Sequence, residues 1–171
     1  MIDMSSLFEK YESLAVKGEL ICLERQDTIV PFFCYPIHAK SIGFEGCIMY
    51  CFIDGYDDMV FASNPESSAD RTVYPLAASF EEFIRLILAC GTANPIEQIV
   101  WMDKRQLERH LQEEKKRQTE QQRKQLVLLA HELNLVPMEE LYDYVKNIQA
   151  NFDESRIEYS DEYYDVLGIE R

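Results

Sequence analysis

Residues Cys47 to Ile53 form seven consecutive apolar positions rich in β-formers, and the run stops at Asp54-Gly55. Asp-Gly is a strong two-residue turn signal, and Met59 to Ala62 then returns as the antiparallel partner. This hairpin constrains the fold more than any other part of the chain. The Ser, Asn, Asp and Pro-rich stretch Asn64 to Arg71 reads as a loop, and Thr72 to Leu76 as a further short strand.

Upstream, Ser6 with Glu9 matches a capping box, and Gly18 sits where a helix stop belongs, so the spacing predicts a helix over 6–17. Its apolar face is Leu7, Phe8, Tyr11, Leu14 and Ala15. Leu20 to Leu23 is a short strand candidate. Ile29 to Tyr35 is another, and Pro31 and Pro36 push it towards a sheet edge.

Downstream, Ser79 and Glu82 form a second capping box before the stripe Phe80, Phe83, Ile84, Ile87 and Leu88, which Gly91 closes. Asn94-Pro95 restarts the chain as a cap followed by proline at the first helical position. Ile96 to Trp101 reads as a turn or two of helix or a last strand, with Trp101 assigned to the core. The sequence therefore reads as α+β.

From Asp103 the character changes. Gln112 to Gln125 holds no large apolar residue, only helix formers flanking charge; as one helix it spans about 21 Å, polar all round. Such a helix is solvated, bridging, or a partner surface. Leu126 to Leu135 is apolar, Pro137 breaks the run, and Met138, Leu141, Tyr142, Val145, Ile148 and Phe152 define an amphipathic helix. The tail beyond is acidic and tyrosine-rich, with Ser160 before Asp161 and Glu162 as a helix start.

The 171 residues suit one domain with an appendage and carry a formal net charge of −14. That charge repels phosphate backbones and anionic membranes and attracts basic partners. Asp103 to Gln125 is the exception, with 8 basic and 5 acidic residues. Lys115, Lys116, Arg117, Arg123 and Lys124 cluster there, but Glu113, Glu114 and Glu120 interleave and no aromatic residue offers a stacking platform, so nucleic acid is not expected. No apolar run reaches the length of a membrane span, and the start Met1-Ile2-Asp3-Met4-Ser5 lacks the basic and apolar parts of a leader. A cytoplasmic protein with reduced thiols is expected.

Candidate chemistry fails on spacing or setting. Cys47 and Cys51, read as one strand, lie about 13 Å apart and cannot share an ion. His110 and Glu114 are one helical turn apart on a polar helix. Neither His38, His110 nor His131 neighbours a cysteine in sequence, and Cys22, Cys47, Cys51 and Cys90 fall in apolar runs where an inert core thiol is the default. The six glycines are too scattered to cradle a phosphate. No catalytic residue, metal or cofactor is expected, and the chain reads as a non-enzymatic binding protein. The residues expected to meet a protein partner are Asp54, Tyr56, Asp57 and Asp58 at the hairpin turn and Glu66 and Asp70 in the following loop.

Tyr50-Cys51-Phe52-Ile53-Asp54-Gly55, then Met59-Val60-Phe61, then Val73-Tyr74-Pro75-Leu76-Ala77-Ala78-Ser79-Phe80-Glu81-Glu82-Phe83-Ile84 resembles the SUKH superfamily. There a hairpin leads through a loop into a Ser-Phe-Glu-Glu-Phe helix start. The match covers about residues 42–92; the superfamily's Leu-Pro-containing N-terminal segment and Trp-Gly pattern have no counterpart here. The resemblance implies a strongly bent antiparallel sheet flanked by helices over 1–102, followed by a helical extension over 103–171. It also implies action by binding, as an immunity protein that neutralises a toxin, with a basic toxin suited to the acidic surface. The alternative is a structural or regulatory protein that self-associates as a homodimer through the C-terminal helices.

Overall fold

The computed structural model describes residues 6–171; the reading of Met1 to Ser5 lies outside them. Four antiparallel strands, β1 (Ala39–Glu45), β2 (Ile48–Ile53), β3 (Val60–Ser63) and β4 (Val73–Ala77), lie side by side in chain order. Around them run α1 (Ser6–Ser13), α2 (Phe80–Cys90), α3 (Asn94–Gln98), α4 (Lys104–Arg117), α5 (Glu120–Leu133), α6 (Leu141–Ala150) and α7 (Asp161–Leu167). The chain is α+β.

The strands alternate as a period of two demands. Tyr50 and Phe52 of β2, Ala62 of β3, and Tyr74 and Leu76 of β4 enter one apolar cluster; Met49, Cys51, Ile53, Phe61 and Val73 enter another on the opposite face. Strand β2 is apolar throughout because both faces of the sheet are covered. The first face carries α1, α2, α5 and α6. Phe80 sits at its centre, with ring centroids 5.1 Å from Phe8, 5.4 Å from Tyr11 and 6.0 Å from Phe52. Among the described residues the second face carries no α-helix other than the short α7. Cys34 and Tyr35 from the 25–38 loop, and Phe152, Ile157, Tyr159 and Tyr163 from the tail, cover it.

Strand β1 was not foreseen. Lys40, Ser41 and Gly43 interrupt its apolar pattern, and a register shift between Ser41 and Gly43 lets Ile42 join the first face and Phe44 the second. A Cβ on Gly43 would stand 2.8 Å from the Leu23 backbone, so only glycine admits that segment against the strand. Leu20 to Leu23 is accordingly no strand. A 3-10 turn (Gly18–Ile21) and one bridge, Glu24 to Phe44, replace it. Ile29 to Tyr35 forms no strand either, since Pro31 and Pro36 lack ladder donors.

The first helix is shorter than its apolar spacing predicts. It ends at Ser13, where the Arg25 guanidinium donates to the carbonyls of Tyr11 and Glu12 at 3.4 and 3.3 Å. Ser6, expected as its cap, is already helical. Ser79 caps α2 as expected, accepting from the Glu82 amide, and Gly91 closes that helix at φ +93°. Asn94 is the first residue of α3 rather than its cap, with Pro95 second. A 3-10 turn (Ile99–Trp101) follows, and Trp101, assigned to the core, is 43% exposed.

The single polar helix expected over 112–125 is two helices. Gln118 turns extended, and Thr119 starts α5 with a capping box to Gln122 that the all-polar run concealed. The segment does not project as an arm. Gln125 accepts from the Lys17 amide at 3.0 Å, and the Gln122 amide donates to the Leu20 carbonyl at 3.2 Å. Leu107, Leu129, Leu133, Met138 and Val145 beyond residue 103 join the same cluster as the sheet's first face.

Candidate functional site

The six expected contact residues divide between the turns at opposite ends of β3. Asp54, Tyr56, Asp57 and Asp58 lie in the β2–β3 turn; Glu66 and Asp70 lie in the β3–β4 loop. Tyr56 and Asp58 are committed to the protein's own structure. The Tyr56 hydroxyl donates to the Asp153 carbonyl at 2.6 Å and accepts from the Arg156 amide at 3.1 Å, and its ring packs on Phe61 and Phe152. Asp58 Oδ2 accepts from the Phe80 amide at 3.1 Å, which places a carboxylate at the α2 N-terminus where the helix dipole favours it. Asp54 is half-buried, its amide bonded to the His38 carbonyl. Asp57 is exposed at φ +52°, and Glu66 and Asp70 are exposed.

A buried polar network lies where β3 and β4 meet α3. Glu97 is 4% exposed, and its Oε1 accepts from the Tyr74 hydroxyl and from Asn64 Nδ2, the latter at 3.0 Å. Burial, reinforced by the charge of Glu45, holds this carboxyl above the usual range despite those two donors. Glu45 accepts from the Tyr50 hydroxyl at 3.0 Å and from Asn94 Nδ2 at 2.7 Å, and His110 Nε2 lies 3.0 Å from Asn94 Oδ1. The hydrogen bonds tie β1, β2, the start of the β3–β4 loop, β4, α3 and α4 together. Nothing in the sequence marked Glu97, because it stands in an ordinary helical turn and its partners come from distant elements.

The five thiols share one bias. Burial raises each of them, Cys22 to about 11 and Cys90 to about 12, so none is held as the reactive thiolate. Cys47, expected in the β2 strand and in the core, lies instead in the β1–β2 turn and is half-buried. Among the described residues no group of three His, Cys, Asp or Glu is placed to hold a metal ion, and no helix is long and apolar enough to cross a membrane.

The most distinctive surface is one that sequence reasoning assigned to an edge strand. Ile29, Pro31, Phe32, Tyr35, Pro36 and Ile37, with Ala39 and Met49 beneath, line a groove of about 350 Å³ whose rim includes Ser160 and Glu162. Ile29, Phe32 and Ile37 are each more than 40% exposed, and neighbouring Val30 is 71% exposed. Four large apolar side chains within nine residues form a patch rather than scattered singles. The loop is pinned. The Tyr35 hydroxyl donates to the Cys47 carbonyl at 2.6 Å, Ser63 Oγ to the Cys34 carbonyl at 3.0 Å, and the Ile37 amide to the Glu158 carbonyl at 2.8 Å. Asp161, Glu162 and Asp165 are exposed on α7, of which Glu162 lines the groove and Asp161 pairs with Arg171 at 2.7 Å, and Glu158 lies 3.6 Å from His38. The available signal was the pairing of two prolines with an apolar run: such a run cannot join a ladder, so its side chains are free for other contacts.

Comparison with family models, with curated proteins and with solved structures finds no match for this chain.

Proposed function

We propose that this chain is a non-enzymatic protein-binding domain, and that its binding face is the pinned apolar groove at residues 29–37 with the acidic α7 as its rim. The observation that carries the reading is the exposed Ile29, Val30, Phe32 and Ile37 cluster on a loop fixed by three long-range hydrogen bonds. A fixed loop binds without the cost of ordering it. An apolar centre with a charged rim is the usual layout of an interface, and the overall charge of −14 selects a basic occupant.

The resemblance of residues 50–84 to the SUKH superfamily directs the choice of partner to a basic toxin domain, met in the cytoplasm and neutralised by occlusion. The test is co-expression with toxins encoded beside this gene, with survival as the readout. The full chain is expected to protect, and Phe32→Glu and Ile37→Glu, folded by circular dichroism, are expected to lose protection and to weaken binding by about tenfold or more. Undiminished binding by both variants contradicts the groove; failure to bind any such toxin contradicts the immunity role.

A further inference from the structure

A second cleft lies between the β3–β4 loop and α6, away from the apolar groove. It encloses about 320 Å³, near the lower end of small-molecule sites, and Asp70, Arg71, Val100, Lys146 and Gln149 line it. Its cations are unusual for so acidic a chain. Lys146 is half-buried and desolvated, which lowers its pKa, and among the described residues no carboxylate lies within ion-pair reach of it. Its ammonium donates to the Val100 carbonyl at 3.3 Å and lies 5.7 Å from the centre of the Tyr142 ring. A carbonyl dipole and a ring face are partial compensation for a desolvated charge; an anion completes it. Arg71 likewise has no carboxylate partner among the described residues, and its guanidinium is held 5.9 Å from the centre of the Phe152 ring. A guanidinium held over a ring face, with no carboxylate on it, has N–H donors available for a bidentate oxyanion.

We propose that this cleft binds a small molecule through a terminal oxyanion, a carboxylate or a phosphate, with Arg71 and Lys146 as its cationic contacts. Asp70 on the same wall favours a ligand whose negative charge is confined to the end that meets Arg71 and Lys146.

The experiment is a titration of the isotope-labelled full chain with inorganic phosphate and, separately, acetate, at matched ionic strength with chloride as control. Saturable amide shifts are expected over residues 69–74 and 146–150, with dissociation constants on the order of millimolar. The response to phosphate against acetate distinguishes the two oxyanions. Arg71→Gln and Lys146→Met are each expected to weaken binding about tenfold; Lys146→Met keeps the side-chain stem, Arg71→Gln changes an exposed side chain, and the unfolding transition of each variant is compared with the wild type. Absence of saturable shifts up to about 50 mM of either anion, shifts spread over the surface cations, or binding unchanged in both variants overturns the proposal.

Discussion

The two faces of the sheet are built from alternate residues of the same strands, yet they are closed in different ways. Tyr50 and Phe52 lie under capped helices, with Phe80 and Phe8 packed edge-on to Phe52. Met49, Cys51 and Phe61 lie under a proline-containing loop and an acidic tail. The tail is tied down by Tyr56 at Asp153 and Arg156, by Arg156 at the Gly55 carbonyl, and by Glu158 at Ile37. Regular helices supply their own backbone hydrogen bonds and can devote their side chains to the core. Irregular cover relies on a few specific ties and leaves some of its apolar side chains outward. The proposed binding groove belongs to the second kind.

The largest effect is expected on the helical face. Phe80→Ala removes a fully buried ring that touches Phe8, Tyr11 and Phe52, and should lower global stability by about 3–5 kcal/mol in urea unfolding. A much smaller loss would mean that this face is not the main source of cohesion.

Glu97→Gln comes next and reports through pH. Burial raises the carboxyl's pKa in the folded chain, so the unfolded chain releases its proton first. The stabilisation is complete below the unfolded value of about 4.3 and is lost as pH rises through the folded value. The Gln variant retains an acceptor for Tyr74 and Asn64 and has no proton to lose. Wild-type stability should therefore fall relative to the variant as pH rises from acid to neutral. A pH-independent difference would contradict the assignment.

Thr119→Ala removes the α5 cap and should cost about 1 kcal/mol, with the unfolding transition kept cooperative because α5 shares the first-face core. Tyr56→Phe should cost less globally, about 0.5–1 kcal/mol. Its larger consequence is local: amides of residues 152–159 should exchange faster while those of α2 do not change.

The contrast also explains what could be read in advance. The β2–β3 hairpin, β4, the Ser79 cap and the Gly91 stop carry their signals within a few residues, so local chemistry suffices for them. Strand β1 escaped notice because its identity depends on Gly43 meeting Leu23, a contact between distant segments. The break at Gln118 escaped because Thr119 and Gln122 sit in a run where every residue is polar and no change of periodicity marks the boundary. The expected acidic contact residues were chosen for exposure and charge, and Tyr56 and Asp58 serve the fold instead, Tyr56 as an anchor for the tail and Asp58 as a support for α2. The groove was hidden inside a segment taken for an edge strand. For β1, Tyr56, Asp58 and the groove a partner far away in sequence decides the role, whereas the break at Gln118 is set locally by the Thr119 cap.

The most direct test of this difference between the faces is native-state hydrogen exchange on the full chain. The amides of Ile37 and Arg156, bonded to Glu158 and Tyr56, report the loop-and-tail cover, and the amide of Gly91, bonded to Ile87, reports the helical cover. The account predicts that Ile37 and Arg156 exchange by local opening, at free energies at least about 2 kcal/mol below that of Gly91. Equal opening free energies at all three amides would show that both faces open only together, and would contradict it.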